Sequence, residues 1–211
     1  MPPSPLPPRP TLGGWGDSIL AGSCNGTDPL TVTRNLLGAG WLSSNHGVPS
    51  ETAAQIRARY LSESPTGCLG EMCEHVVVEG GVNSLNNAVS PAATVADMVA
   101  VVDDALAQGH WVVWTDVLPA TGCNFCGQEM RDNSYARNTT YNALMLAECN
   151  ARSSNPRLRC VFNFSAFEDP ARPNQGYLLP AYDCDGIHLL QAGADALAAS
   201  IDQAIRQMRG L

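Results

Sequence analysis

The chain contains no lysine; its 12 basic residues are all arginine. That absence removes any Schiff-base or Ser-Lys mechanism. It also removes a P-loop, whose phosphate grip needs a lysine. Positive charge is scarce in general: 12 basic against 20 acidic residues leave a formal net charge of -8. Nucleic-acid binding calls for clustered Lys and Arg, so that class of partner is excluded. No apolar run is long enough to span a membrane. The opening residues MPPSPLPPRP have no apolar core segment, so no signal peptide is legible. No internal repeat is present, no Gly-x-Ser-x-Gly elbow, and no second Cys-x-x-Cys to complete a zinc site around Cys123 and Cys126.

What is present is a globular composition, 45% hydrophobic and 15% charged. A chain of 211 residues suits one α/β domain with a real core. Residues 1–10 read as a mobile proline-rich lead and 11–211 as a single domain. Eight cysteines, an even number, favour disulfides and an oxidising compartment, hence a secreted or periplasmic protein.

Short apolar runs alternate with longer helical patterns. Strands are expected at 38–45, 75–79, 110–116 and 159–164, with a weaker first strand at 11–16. The Val76–Val78 and Val112–Trp114 runs hardly alternate, as parallel strands covered on both faces require. Helices are expected at 50–62, 94–108, 136–152 and 191–209. In the second, Thr94 is the expected cap, Gly109 the stop, and Val95, Met98, Val99, Val102 and Leu106 the apolar stripe. In the last, Ala194, Leu197, Ala198, Ile201 and Ile205 form a similar stripe. The alternation predicts a parallel sheet between helix layers, with function in the loops at the carboxyl ends of the strands.

Four segments fall at such positions. Gly16-Asp17-Ser18-Ile19 closes the first strand and presents a serine. Asn45-His46-Gly47-Val48-Pro49-Ser50-Glu51-Thr52 leads from the second strand into a helix, where backbone N–H groups are left unsatisfied. Glu79-Gly80-Gly81-Val82-Asn83-Ser84 follows the Val-Val-Val strand, and Asn83 offers an amide N–H to a developing oxyanion. Asp185-Gly186-Ile187-His188 precedes the last helix. Its spacing of three puts both side chains on one side, so that Asp185 accepts the Nδ1 proton and Nε2 is left to act as a base. Each segment alone also reads as an ordinary turn or connection. His46 neighbours the second segment and is a candidate pocket residue, while His75 and His110 begin strands and read as structural.

Taken in chain order, the four resemble the signature blocks of the SGNH (GDSL-like) hydrolases: G-D-S, N-x-G-x-x-G-x-T, G-x-N-D and D-x-x-H. The resemblance spans residues 14 to 193. It implies a flavodoxin-like, three-layer α/β/α sandwich on a parallel sheet of about five strands. It further implies a serine ester hydrolase with Ser18 as nucleophile, His188 as base and Asp185 as its orienter. The oxyanion hole it implies comprises the Ser18 N–H, a second-block N–H and the Asn83 side chain. The family's second-block glycine falls on Ser50, with Gly47 as the fallback donor. The third block ends in Ser84 where the family has Asp. No metal or organic cofactor is expected. The expected partner is a small ester, with small-acyl carbohydrate esters first and lipids or thioesters as alternatives. Acyl transfer by the same triad, a catalytically silent carbohydrate-binding protein on this fold, and a cysteine-based metal or redox module remain the rival functions. Among the cysteines, neighbourhood pairs 68 with 73, 123 with 126 and 149 with 160. It also leaves Cys24 and Cys184 to join the nucleophile turn to the Asp-His turn.

Overall fold

A computed structural model describes residues 9–63, 68, 72–120 and 128–211. The expected proline-rich lead falls largely outside them, as does the Cys123–Cys126 pair. Five parallel strands form one sheet in the order β2-β1-β3-β4-β5: β1 (Thr11–Gly16), β2 (Leu42–Gly47), β3 (His75–Val78), β4 (Trp111–Thr115) and β5 (Leu158–Val161). The α/β class and the five-stranded parallel sheet agree with the sequence expectation. Because the chain steps from β1 to β2 and then back across β1 to β3, the strand order reverses beside β1. Open α/β sheets bind ligands at the carboxyl side of that reversal.

The helices are α1 (Ser18–Ala21), α2 (Pro29–Leu37), α3 (Ala53–Glu63), α4 (Val82–Asn86), α5 (Pro91–Ala107), α6 (Gln128–Ala151), α7 (Phe164–Phe167) and α8 (Gln191–Arg209). α2 packs on α8, while α3, α5 and α6 pack in succession on one another, which gives the two outer layers. Both faces of the central strands are therefore dry. Val76, Val77, Val78, Val112, Val113 and Trp114 are all buried, the burial that their unbroken β-branched and aromatic runs require. α8 buries the whole expected stripe.

Several boundaries differ from the sequence expectation for identifiable reasons. α5 starts three residues early because Ser90 caps it, accepting from the Ala93 N–H, with Pro91 in the first turn. Ser-Pro is a stronger start than Thr94, whose hydroxyl instead donates back to the Ser90 carbonyl. Val99 and Leu106 are only partly buried, and Val101 and Ala105 take their places in the buried stripe. β2 begins at Leu42, because Gly38 ends α2 and Trp41 turns back onto it. α2 itself was not expected, although Asp28 caps it, Pro29 follows and Gly38 closes it. It buries only Pro29, Leu30 and Thr33, too few apolar positions for a legible stripe. α6 begins eight residues before the expected start at 136, in a polar stretch without apolar period.

Candidate active site

Four loops meet at the carboxyl ends of β1, β2 and β3. β1 and β2 run level, Gly16 opposite Gly47, and Trp15 lies opposite Val78. The turns that follow therefore emerge side by side. After β1, Asp17 caps α1 by accepting the Ile19 N–H at 3.0 Å, and Ser18 sits between the two. Gly47 packs so tightly against this turn that a Cβ on it would lie 2.4 Å from the Ala21 nitrogen.

Before α8 the chain makes a turn, not a helix, pinned by an antiparallel bridge between Asp183 and Leu189 and by the buried side chains of Ile187 and Leu189. Within it, Asp185 Oδ1 accepts the backbone N–H groups of Ile187 at 3.1 Å and His188 at 2.9 Å. Its Oδ2 lies 2.7 Å from His188 Nδ1. His188 Nε2 lies 2.9 Å from Ser18 Oγ, across 170 residues of sequence. Partial burial alone raises the Asp185 carboxyl. The His188 N–H, the imidazole and the Ile187 N–H outweigh it and hold the group below the usual carboxylate range.

Two further ties fasten the Asp-His turn to the segment that follows Ser18. Cys24 and Cys184 form a disulfide. Gln191, at the start of α8, accepts the Gly26 and Thr27 N–H groups at 3.0 and 2.9 Å and donates to the Thr27 carbonyl at 3.2 Å. Cys68–Cys73 and Cys149–Cys160 are also bonded, so three of the expected bridges form among the described residues. Cys24, Asp185 and His188 do bring ligand-type atoms within 4.8 Å of one another. A disulfide sulfur is no thiolate, however, and the other two groups are already paired.

The second and third segments interlock. Asn83, in the first turn of α4, donates through Nδ2 to the Glu51 carbonyl at 3.0 Å, leaving its second amide hydrogen. Ser84 is buried and its Oγ accepts the Ala53 N–H at 2.8 Å. The serine that replaces the family's Asp thus secures the first turn of α3. Ser50 is exposed, with φ +69°, and its N–H makes no hydrogen bond among the described residues. The N–H of Gly47, the fallback donor, already donates to Asn45 Oδ1 at 2.8 Å. His46 is not a pocket residue either. Its ring stacks on Trp15 at 4.4 Å and its nitrogens face Glu63 and Ser44.

Sequence reasoning gave Arg59 and Glu79 no role. Arg59 grips both oxygens of Glu51 at 2.6–3.1 Å and reaches the Gly16 carbonyl at 3.4 Å, tying the second segment to the end of β1. Its signal was a spacing of eight across a helix start, which no simple period reveals. Glu79 accepts the Asp17 N–H at 3.2 Å and is buried beneath the Ser18 turn.

With this geometry in view, residues 15–196 match the profile of the GDSL-like lipase/acylhydrolase family. The chain belongs to that family. No curated protein sequence matches it. Among solved structures, a GDSL-like lipase from Bacteroides thetaiotaomicron superposes with a TM-score of 0.74 at 20% identity, covering 96% of this chain and 89% of its own. A carbohydrate acetylesterase family member from Sinorhizobium meliloti gives 0.69 at 14%, covering 96% and 100%. The lipase/acylhydrolase of Enterococcus faecalis gives 0.65 at 17%, covering 95% and 96%. At these identities the GDSL-like neighbours share the fold. Membership of the acylhydrolase family implies a hydrolase. The three disulfides point to an extracellular or periplasmic protein, and among the described residues no helix is long and apolar enough to cross a membrane.

Proposed function

We propose that this GDSL-like protein hydrolyses carboxylic esters through an acyl-enzyme on Ser18. The observation that carries the proposal is the continuous chain Ser18 Oγ–His188–Asp185, at 2.9 and 2.7 Å. With Nδ1–H held by an ionised Asp185, the imidazole presents an unprotonated Nε2 to the serine. Ser18 Oγ attacks the ester carbonyl while Nε2 takes its proton. The tetrahedral oxyanion is received by the N–H groups of Ser18 and Ser50 and the remaining Asn83 amide hydrogen. His188 then returns the proton to the departing alcohol. A water molecule, activated by the same base, attacks the acyl-enzyme and releases the acid. No metal or organic cofactor is required.

For substrate we propose small-acyl esters, carbohydrate-linked ones first, since a short acidic chain is poorly matched to lipid surfaces. The disulfides support secretion or periplasmic export. The rival of a silent binding module gives no reason for a serine, a histidine and a carboxylate to be aligned in this way. The test is labelling. A serine-reactive phosphonate should modify Ser18 and abolish turnover of a simple aryl acetate. Ser18→Ala should lose nearly all activity with an unchanged melting temperature. A Ser18→Ala variant that keeps more than about a tenth of the kcat would overturn the nucleophile assignment.

A further inference from the structure

The floor of the site holds two carboxyl groups that the ester chemistry does not use. Asp17 and Glu79 are both buried, at 0% and 4% exposure. They lie on neighbouring strand ends, because β1 pairs with β3 and the Glu79 N–H donates to the Trp15 carbonyl. Glu79 is pressed against the turn: its Oε2 accepts the Asp17 N–H, and a Cβ on Gly16 would sit 2.6 Å from that oxygen. Asp17 Oδ1 is occupied by the Ile19 N–H. Asp17 Oδ2, by contrast, is buried with no N–H or O–H donor among the described residues. An unsatisfied buried carboxylate oxygen costs several kcal/mol in general. The group within reach is the Glu79 carboxyl, which contacts Asp17 side chain to side chain. Two ionised carboxylates cannot hydrogen-bond, whereas a carboxylic acid and a carboxylate can.

We infer that Glu79 is a positioning residue, a carboxylic acid still protonated at neutral pH that donates to Asp17 Oδ2 and so fixes the turn that presents Ser18. This deepens the esterase proposal and rests on it for the activity readout alone. The surroundings set which partner carries the proton. Asp17 has the Ile19 N–H and the His188 imidazole to favour its charge, although burial and Glu51 push it up to about 6. Glu79 is raised well above its usual value by burial and then by Asp17 itself. The other ionisable groups facing the pair are Glu51, already held by Arg59, and Tyr141 and Asp116 on the far side. Burial keeps the Tyr141 phenol protonated, and it donates to the Gly80 carbonyl. None of these offers the missing donor. At alkaline pH, loss of the shared proton leaves two adjacent buried charges. Their repulsion swings Asp17 off the Ile19 N–H and displaces Ser18 from His188. A misplacement of about 1 Å costs on the order of 100-fold in rate.

The test compares the full-length protein with Glu79→Gln and Glu79→Ala, using an aryl acetate. Gln reproduces the protonated acid, accepting from the Asp17 N–H and donating to Asp17 Oδ2, but cannot ionise. Glu79→Gln should therefore keep its kcat within about threefold at neutral pH and lose the alkaline fall in kcat that the parent displays. Glu79→Ala should lose at least about tenfold in kcat with KM little changed. The infrared difference spectrum of the parent minus Glu79→Gln at neutral pH should contain the carbonyl stretch of a protonated carboxylic acid, which separates Glu79 from Asp116, a carboxyl that burial also pushes up, to about 7. This band is independent of catalysis and of whether Glu79→Ala folds, so a failure of the esterase proposal stays distinguishable from a failure of this one. No such band, an alkaline fall retained in Glu79→Gln, or a Gln variant as impaired as a folded Ala variant overturns the inference.

Discussion

Replacing both Cys24 and Cys184 by serine opens the longest loop that a disulfide closes among the described residues, 160 residues in separation. In the chain-entropy account, such a closure destabilises the unfolded chain by ~5 kcal/mol at 25 °C. The nested bridges, with separations of 5 and 11, shorten that loop by only about a tenth, which a logarithm hardly registers. For a chain of this size each kcal/mol is worth about 2–4 °C in Tm, so the ceiling is a fall of roughly 10–20 °C. Native bridges often deliver less than the ceiling, and a fall of about half that size is expected. Activity should suffer less than stability. The Asp-His turn keeps its bridge between Asp183 and Leu189, the buried Ile187 and Leu189, and the Gln191 bonds to Gly26 and Thr27. A few-fold drop in kcat at 25 °C is therefore expected, since the triad loses one of several ties. Thermal melts and aryl acetate kinetics on the parent and the double variant make the comparison. A Tm within about 2 °C of the parent would refute the argument that this bridge constrains the unfolded chain. Complete loss of activity in a variant that still melts cooperatively would refute the argument that the turn is fastened redundantly. Both cysteines are exposed, so mild reduction of the folded parent should reproduce the few-fold effect on kcat.

Three further outcomes are expected. Ser50→Gly removes a side chain from a left-handed backbone (φ +69°), and relief of that strain exceeds the entropy of glycine by roughly 0.5–1 kcal/mol. Tm should rise slightly with kcat equal or higher, whereas a large loss of activity would reveal a role for the Ser50 hydroxyl. Asn83→Ala should lower kcat by roughly ten- to a thousandfold, because an oxyanion donor acts in the transition state. An effect on KM alone would reassign Asn83 to ground-state binding. Burial, then the Arg209 charge, lowers His75 from 6.5 to about 4, and neither ring nitrogen has a partner among the described residues. A base with a depressed folded pKa takes up its proton first in the unfolded chain. Its burden is therefore absent above about 6.5 and grows as pH falls to about 4, reaching about 3 kcal/mol. His75→Phe should remove that acid-side loss, and denaturant melts with the same pH slope as the parent would contradict it.

How much of this was legible in the sequence depended on the range of the forces involved. The β3 and β4 strands, the α8 stripe and the parallel class were legible because burial on both faces writes unbroken apolar runs into the chain. The Asp185–His188 pair was legible because both groups lie on one local turn. The pairing of Cys24 with Cys184 was legible as a neighbourhood once two loops were expected to meet. α2 escaped notice because its cap signals, Asp28, Pro29 and Gly38, came without an apolar stripe. That the Gly47 N–H already has a partner in Asn45 Oδ1 could be read only from the folded chain. That Ser50, at the place of a family glycine, takes a left-handed backbone is a fact only the folded geometry supplies. The Arg59–Glu51–Gly16 clamp and the Asp17–Glu79 contact had no sequence signal. They join residues 8, 43 and 62 positions apart that become neighbours only when β1, β2 and β3 align. Residue types and local spacing fixed which groups were available for chemistry. The reversal of strand order beside β1 decided which of them touch, because hydrogen bonds and buried charges are set by contacts of a few ångströms that no single segment contains.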